Sequence, residues 1–180
     1  ASNVTGMRSP VRDIARLLHA HDAYACFDYA ASGPYVDIDM SAPRDPDGGD
    51  PSLDAVFLSP HKFLGGPGSS GVLVFNERLY NRELPPSVGG GGTVAYVSPD
   101  DQDFIADIEE RERAGTPGVL QTLKAALALE LKSRIGVERI EAREQELIGR
   151  ALERWCANER IELLGNPDPR RRIGIVSFNL

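Results

Sequence analysis

The chain has 180 residues, with 20 Lys plus Arg, 27 Asp plus Glu and a formal charge of −7. Hydrophobic residues at 41% and charged residues at 26% describe an ordinary globular composition, long enough to bury one core, or one domain with part of a second. The acidic balance argues against a nucleic-acid binder, whose phosphate contacts need clustered positive charge. No apolar run approaches the roughly 20 residues that cross a bilayer, so no membrane partner is expected. Two cysteines, Cys26 and Cys156, cannot build a disulfide framework, which points to a reducing, cytoplasmic setting.

The chain opens on Ala1 without Met or a secretory leader and stops on a strand-like Val176-Ser177-Phe178-Asn179-Leu180, so both ends read as cut. From Ser9-Pro10, the residues Val11, Ile14, Ala15, Leu17 and Leu18 recur at helical spacing. Tyr24-Ala25-Cys26-Phe27 is a short apolar run closed by Asp28, and Val36-Asp37-Ile38-Asp39-Met40 alternates like a second strand. Residues 41–52 form a Pro-, Gly- and Asp-rich loop. Counted from Asp45, the sixth and twelfth positions hold Asp50 and Val56 where an EF-hand needs Gly and Glu, so no metal site is expected.

Ala55-Val56-Phe57-Leu58 is the next apolar run, followed by Ser59-Pro60-His61-Lys62 and the glycines 65, 66, 68 and 71. Val72-Leu73-Val74-Phe75 reads as a strand, which places Lys62 in a strand-to-strand connection. A second glycine cluster covers residues 89–92, before Thr93 and the run Val94-Ala95-Tyr96-Val97. After Thr116-Pro117 the pattern turns helical, with Val119, Leu120, Leu123, Leu127 and Leu131 on one face. A second helix is expected over 137–156, then a turn at 166–169 and a strand at 173–178. The expected division is a large-domain part over 1–136 and the beginning of a smaller domain over 137–180.

Only three of the 20 basic residues are lysines, and Lys124 and Lys132 read as helix-surface positions. Lys62 stands apart. A lysine amine becomes a nucleophile when its surroundings depress its pKa, and the glycines behind it let backbone approach a ligand. A Walker A loop puts its glycines before the lysine, whereas here they follow it, which argues against a nucleotide site. His61, beside Ser59, could donate to an anion; His19 and His21 read as surface residues. Asp28, at the end of a buried strand, either caps a turn or holds a protonated ring nitrogen, which turns a pyridine into an electron sink.

In order, Ser2-Asn3-Val4-Thr5-Gly6, Asp28-Tyr29-Ala30-Ala31, Ser59-Pro60-His61-Lys62, Gly90-Gly91-Gly92-Thr93 and Ala114-Gly115-Thr116-Pro117 resemble the class V aminotransferase and cysteine desulfurase family of pyridoxal-phosphate enzymes. The resemblance implies an α/β fold: part of the fold-type I large domain, a mixed, mostly parallel sheet with flanking helices, plus the start of a small α+β domain. It implies that the chain is an internal fragment and that the parent is a homodimer. Carried over by position, Lys62 would form the Schiff base with pyridoxal 5'-phosphate and shuttle the Cα proton of an amino-acid substrate. Asp28 would pair with the ring nitrogen, Ala30 would pack on a ring face and Asn3 would bond the phenolic oxygen. Ser59 and His61 would bind the phosphate, and Thr93 would reach the phosphate of a neighbouring subunit.

Two positions depart from the desulfurase pattern. Ala31 stands where a glutamine is usual, and Arg111-Glu112-Arg113-Ala114 replaces Arg-Phe-Glu-Ala. Both cysteines read as buried structural thiols, and the family's reactive cysteine and carboxylate-gripping arginine lie beyond Leu180. The leading expectation is therefore an aminotransferase-like enzyme, inactive as this fragment. The alternatives are a cysteine desulfurase or selenocysteine lyase, and a non-catalytic scaffold that keeps the fold.

Overall fold

A computed structural model describes residues 1–180, which divide into two compact units: Ala1–Phe75 with Gln121–Leu180, and Asn76–Leu120. In the first unit, helix α1 (Val11–His19) leads into strand β1 (Cys26–Asp28), which pairs in parallel with β2 (Ala55–Leu58); β2 pairs antiparallel with β3 (Val72–Phe75). The parallel pair sets Cys26 beside Ala55 and Asp28 beside Phe57. Short apolar runs form these strands because their alternate residues fill one core: Ala15, Ala25, Tyr29, Val36, Leu53, Val56 and Ile173 are buried together. Helices α3 (Val119–Ile135) and α4 (Val137–Cys156) follow the expected spans closely, broken at Gly136, whose φ of 89° favours glycine.

The apolar face of α3 is not its packed face. Ala125 and Ala128 are buried, whereas Leu120, Leu123 and Leu127 are exposed. The expected strand at 36–40 is absent. No neighbouring strand is present for it: the Val36 carbonyl instead accepts from Lys132 and the Met40 carbonyl from the Leu53 N–H. The expected strand at 173–178 contracts to β7 (Ser177–Asn179), which pairs with β6 (Glu162–Leu164), a strand the pattern did not announce. Upstream of it, residues 171–173 pair with residues 6–8.

Arg172 locks that pairing. Arg172 is 2% exposed, and its guanidinium donates to the carbonyls of Asn166, Thr5 and Ile175 at 3.1, 2.7 and 2.8 Å. A Cβ on Gly6 would stand 2.2 Å from the Ile175 oxygen, at a φ of 74°, so only glycine closes the turn that holds Asn3.

The basic face of α1 grips the acidic loop. Arg12 donates to the Pro51 carbonyl at 2.8 Å and to that of Asp39, and Arg16 pairs with Asp45. His19 is not the surface residue expected. Its ring nitrogens face the Asp50 carbonyl and the buried Asp54 carboxylate, each at 2.9 Å, and Asp54 also accepts from the Ala25 N–H at 2.7 Å. Two acceptors on two nitrogens favour the doubly protonated ring. The Asp54 hydrogen bond, with help from Asp50, therefore raises the His19 pKa above its ordinary 6.5 against the opposing effect of burial.

A raised folded pKa gives stability that is complete below the ordinary value and lost as pH rises through the folded one. Melting temperatures of wild type and His19→Gln should differ most below about pH 6.5 and converge on the alkaline side. A gap that widens with pH contradicts this assignment.

The second unit is a hairpin, β4 (Val94–Val97) against β5 (Gln102–Phe104), with the short helix α2 (Ile108–Arg111). Arg111 is 7% exposed, lies over the rings of Tyr80 and Phe104 and donates to the Leu84 carbonyl. Glu112 has a local task as well: it accepts the Tyr80 hydroxyl at 2.5 Å and the Ser87 N–H at 3.0 Å.

Candidate active site

The candidate site lies at the C-terminal ends of the parallel strands β1 and β2, the edge where open α/β sheets place their ligands. The Tyr29 N–H donates to the Phe57 carbonyl at 2.9 Å, extending the ladder one residue beyond Asp28, so the segments after both strands leave side by side. Asp28 is exposed, and its Oδ1 accepts the Ala30 N–H at 2.6 Å. This bond orients the carboxylate and leaves its second oxygen for a cation. A cleft of about 120 Å³ runs beside it, lined in part by Arg8, Phe27, Asp28, Tyr29 and Ser32.

Beyond β2, residues Pro60–Lys62 make one 3-10 turn, closed by Lys62 N–H to Ser59 O and Phe63 N–H to Pro60 O, each 2.9 Å. Proline at the start suits such a turn, and buried Phe63 anchors its end. His61 and Lys62 thereby project outward as exposed residues. Gly66 sits directly behind: a Cβ there would be 1.8 Å from the Pro60 oxygen.

The side chains of Asn3, Ser59, His61 and Lys62 make no hydrogen bond or ion pair within the chain. The arrangement thus offers an uncommitted amine, a half-committed carboxylate and uncommitted hydroxyl, amide and imidazole groups. Groups of these kinds bind small anionic molecules that carry a basic ring nitrogen, although the cleft beside Asp28 is lined by none of Asn3, Ser59, His61 and Lys62. Thr93 belongs to the other unit. It is 1% exposed, and its hydroxyl donates to the Gly90 carbonyl at 2.8 Å, shaping the glycine turn.

Cys26 and Cys156 are exposed, contrary to the buried thiols expected. Cys26 lies two residues before Asp28 on β1, and Cys156 ends α4. No three His, Cys, Asp or Glu side chains converge as metal ligands, and no helix is long and apolar enough to cross a membrane.

The aminotransferase class-V family model matches residues 1–180. The chain belongs to this family. Among class V relatives, a cysteine desulfurase of Escherichia coli O127:H6 is 34% identical over 181 residues, covering 99% of this chain and 41% of that protein. A probable cysteine desulfurase of Staphylococcus aureus strain Mu50 is 36% identical over 179 residues, covering 99% of this chain and 40% of the relative. The apo structure of a cysteine desulfurase from Thermococcus onnurineus NA1 superposes on the whole chain with a TM-score of 0.83 at 25% identity and 42% coverage of that structure. The α/β architecture is accordingly the class V, fold-type I architecture, as the motif order implied. The chain spans about two-fifths of the length of the relatives it matches.

Three features around this candidate site and its strands escaped sequence reasoning. They are the His19–Asp54 tie at the far ends of β1 and β2, the partial burial of Lys132 and the closeness of Gly66 to Pro60. Only the glycine had a signal, as one of a cluster.

Proposed function

We propose that the natural polypeptide carrying this chain is a pyridoxal-phosphate-dependent, aminotransferase-like enzyme acting on an amino acid. The observation that carries the reading is the pairing of exposed, partnerless Lys62 with oriented Asp28 at one edge of adjoining parallel strands, in a chain that the family model matches from end to end. When bound, the cofactor supplies an electron sink for charge developing at the substrate Cα. Lys62 holds the cofactor covalently and moves the Cα proton through its Nζ. The Asp28 carboxylate keeps the ring nitrogen protonated, because an adjacent negative charge favours the charged form. Ala30 packs against a ring face, Asn3 donates to the phenolic oxygen, and Ser59 with His61 binds the phosphate. Thr93, at the mostly exposed glycine turn, shapes a segment that reaches the phosphate of a second subunit.

This reading includes a cytoplasmic homodimer, supported by two unpaired cysteines and the exposed glycines 89–92. It also assigns 1–136 to the large domain and 137–180 to the start of the small one, supported by the break at Gly136. Incubation with pyridoxal phosphate and then borohydride should fix the cofactor on the peptide containing Lys62, read by mass spectrometry. In a separate, unreduced sample, amino-acid addition should release a keto acid. Modification elsewhere, or none, overturns the assignment.

A second reading, cysteine desulfurase, is favoured by the names of the two sequence relatives. Cysteine as substrate, with an added thiol reductant to release the transferred sulfur, separates the two: sulfide and alanine from the desulfurase, a keto acid from the aminotransferase.

A further inference from the structure

Lys132, on α3, is half-buried rather than solvated. Its Nζ donates to the carbonyls of Gly33 and Val36 at 2.7 and 2.6 Å and lies 5.7 Å from the centre of the Phe63 ring. No backbone N–H donates to either carbonyl, so the ammonium meets their hydrogen-bonding need with two charge-assisted bonds. The ring face and those carbonyls offset the partial loss of water around the charge. Burial lowers the Lys132 pKa, opposed by Asp37 and Glu141, and neither carboxylate comes within ion-pair distance.

The three contacts belong to two different loops. Residues 29–36 leave β1 immediately after Asp28 and contain Ala30; Phe63 follows Lys62 directly and is 3% exposed. Turn and ring also meet each other. A Cβ on Gly33 would lie 3.2 Å from the Phe63 ring and 2.8 Å from the Tyr29 carbonyl, so nothing but glycine fits between them.

We propose that Lys132 is a positioning residue whose ammonium couples the loop after β1 to the loop after β2 and thereby fixes Asp28 relative to Lys62. The cofactor consequence rests on the function proposed above; the coupling itself rests only on the contacts of α3. An ammonium suits this place because one small donor group must serve two carbonyls and a ring at once. Methionine, with a stem of similar length, fills the volume but donates nothing.

The test compares Lys132→Met and Lys132→Arg in the natural polypeptide by two readings. The first is amide hydrogen exchange in peptides covering 29–37 and 59–66, measured without cofactor. The second is the dissociation constant of pyridoxal phosphate. Lys132→Met should speed exchange in both segments and weaken binding about tenfold, a modest share of the roughly 10²-fold that misplacement near 1 Å costs a positioned reaction. Lys132→Arg, which keeps charge and donors, should recover most of both. If Lys132→Met does not fold, Lys132→Leu, which also lacks a donor, supplies the same readings.

Unchanged exchange in either segment overturns the coupling. Faster exchange with unchanged binding reduces Lys132 to a stabilising residue and overturns its positioning role. A wild type that binds no pyridoxal phosphate defeats the cofactor reading and the positioning role with it, while the exchange data still report on the coupling.

Discussion

Lys62→Ala should leave the melting temperature nearly unchanged while turnover falls at least about 10²–10⁴-fold, the share ordinarily supplied by a positioned proton-transfer group. The stability half follows from the structure. Lys62 is exposed, has no hydrogen-bonding or ionic partner, and its turn closes through backbone atoms that alanine keeps. Surface changes of this kind usually stay within about 0.5 kcal/mol. The functional half follows from the uncommitted amine in the turn after β2, the strand that pairs with the one ending at Asp28. Circular dichroism melts, borohydride trapping and single-turnover rates measure the two halves separately. A variant that folds and still turns over at the wild-type rate removes Lys62 from the chemistry. A variant that unfolds removes the premise that its side chain is free.

Gly66→Ala should damage both stability and activity without touching a reacting group. The added methyl would sit 1.8 Å from the Pro60 oxygen, 2.8 Å from its carbonyl carbon and 3.1 Å from the Phe63 oxygen. All three are backbone atoms, so relief requires moving the turn that carries His61 and Lys62. Overpacking of this sort costs about 1–3 kcal/mol, occasionally more, and each kcal/mol lowers the melting point by about 2–4 °C in a chain of this size. Gly71→Ala is the control. Its Cβ would meet only the Leu58 oxygen at 3.8 Å, an ordinary contact. Thermal melts of the two variants should separate clearly, and cofactor affinity should fall only for Gly66→Ala. Equal melts would show that the close approach behind Lys62 relaxes freely.

The parts of the fold legible beforehand are those with dense local signals. The runs at 24–27, 55–58 and 72–75 are short, apolar and bounded by polar residues, and α3 and α4 show helical spacing around a glycine break. β5 and β6 carry no such signal. Gln102-Asp103-Phe104 is polar at two positions of three, and the turn from Ser98 to Asp101 sets its pairing. Val36–Met40 alternates correctly but has no strand to pair with. Motif order made the candidate lysine and aspartate visible, whereas the supports around them depend on distant contacts: His19 with Asp54 across 35 residues, Lys132 with Gly33 across 99. Glu112 looked like a departure from the desulfurase pattern until Tyr80 and Ser87 supplied its role.

The grip of α1 on the acidic loop runs from a wet end to a dry one. Arg16 and Asp45 keep 36% and 29% of their side-chain surface in contact with water, whereas Asp54 keeps 1%. Added salt screens the first pair far more than the second. The loop should therefore peel from Asp45 toward Asp54, opening residues 43–49 to a protease while β1 and β2 remain in register. Ionic strength becomes a dial for one segment's opening, with the strand edge that carries Asp28 and Lys62 left undisturbed.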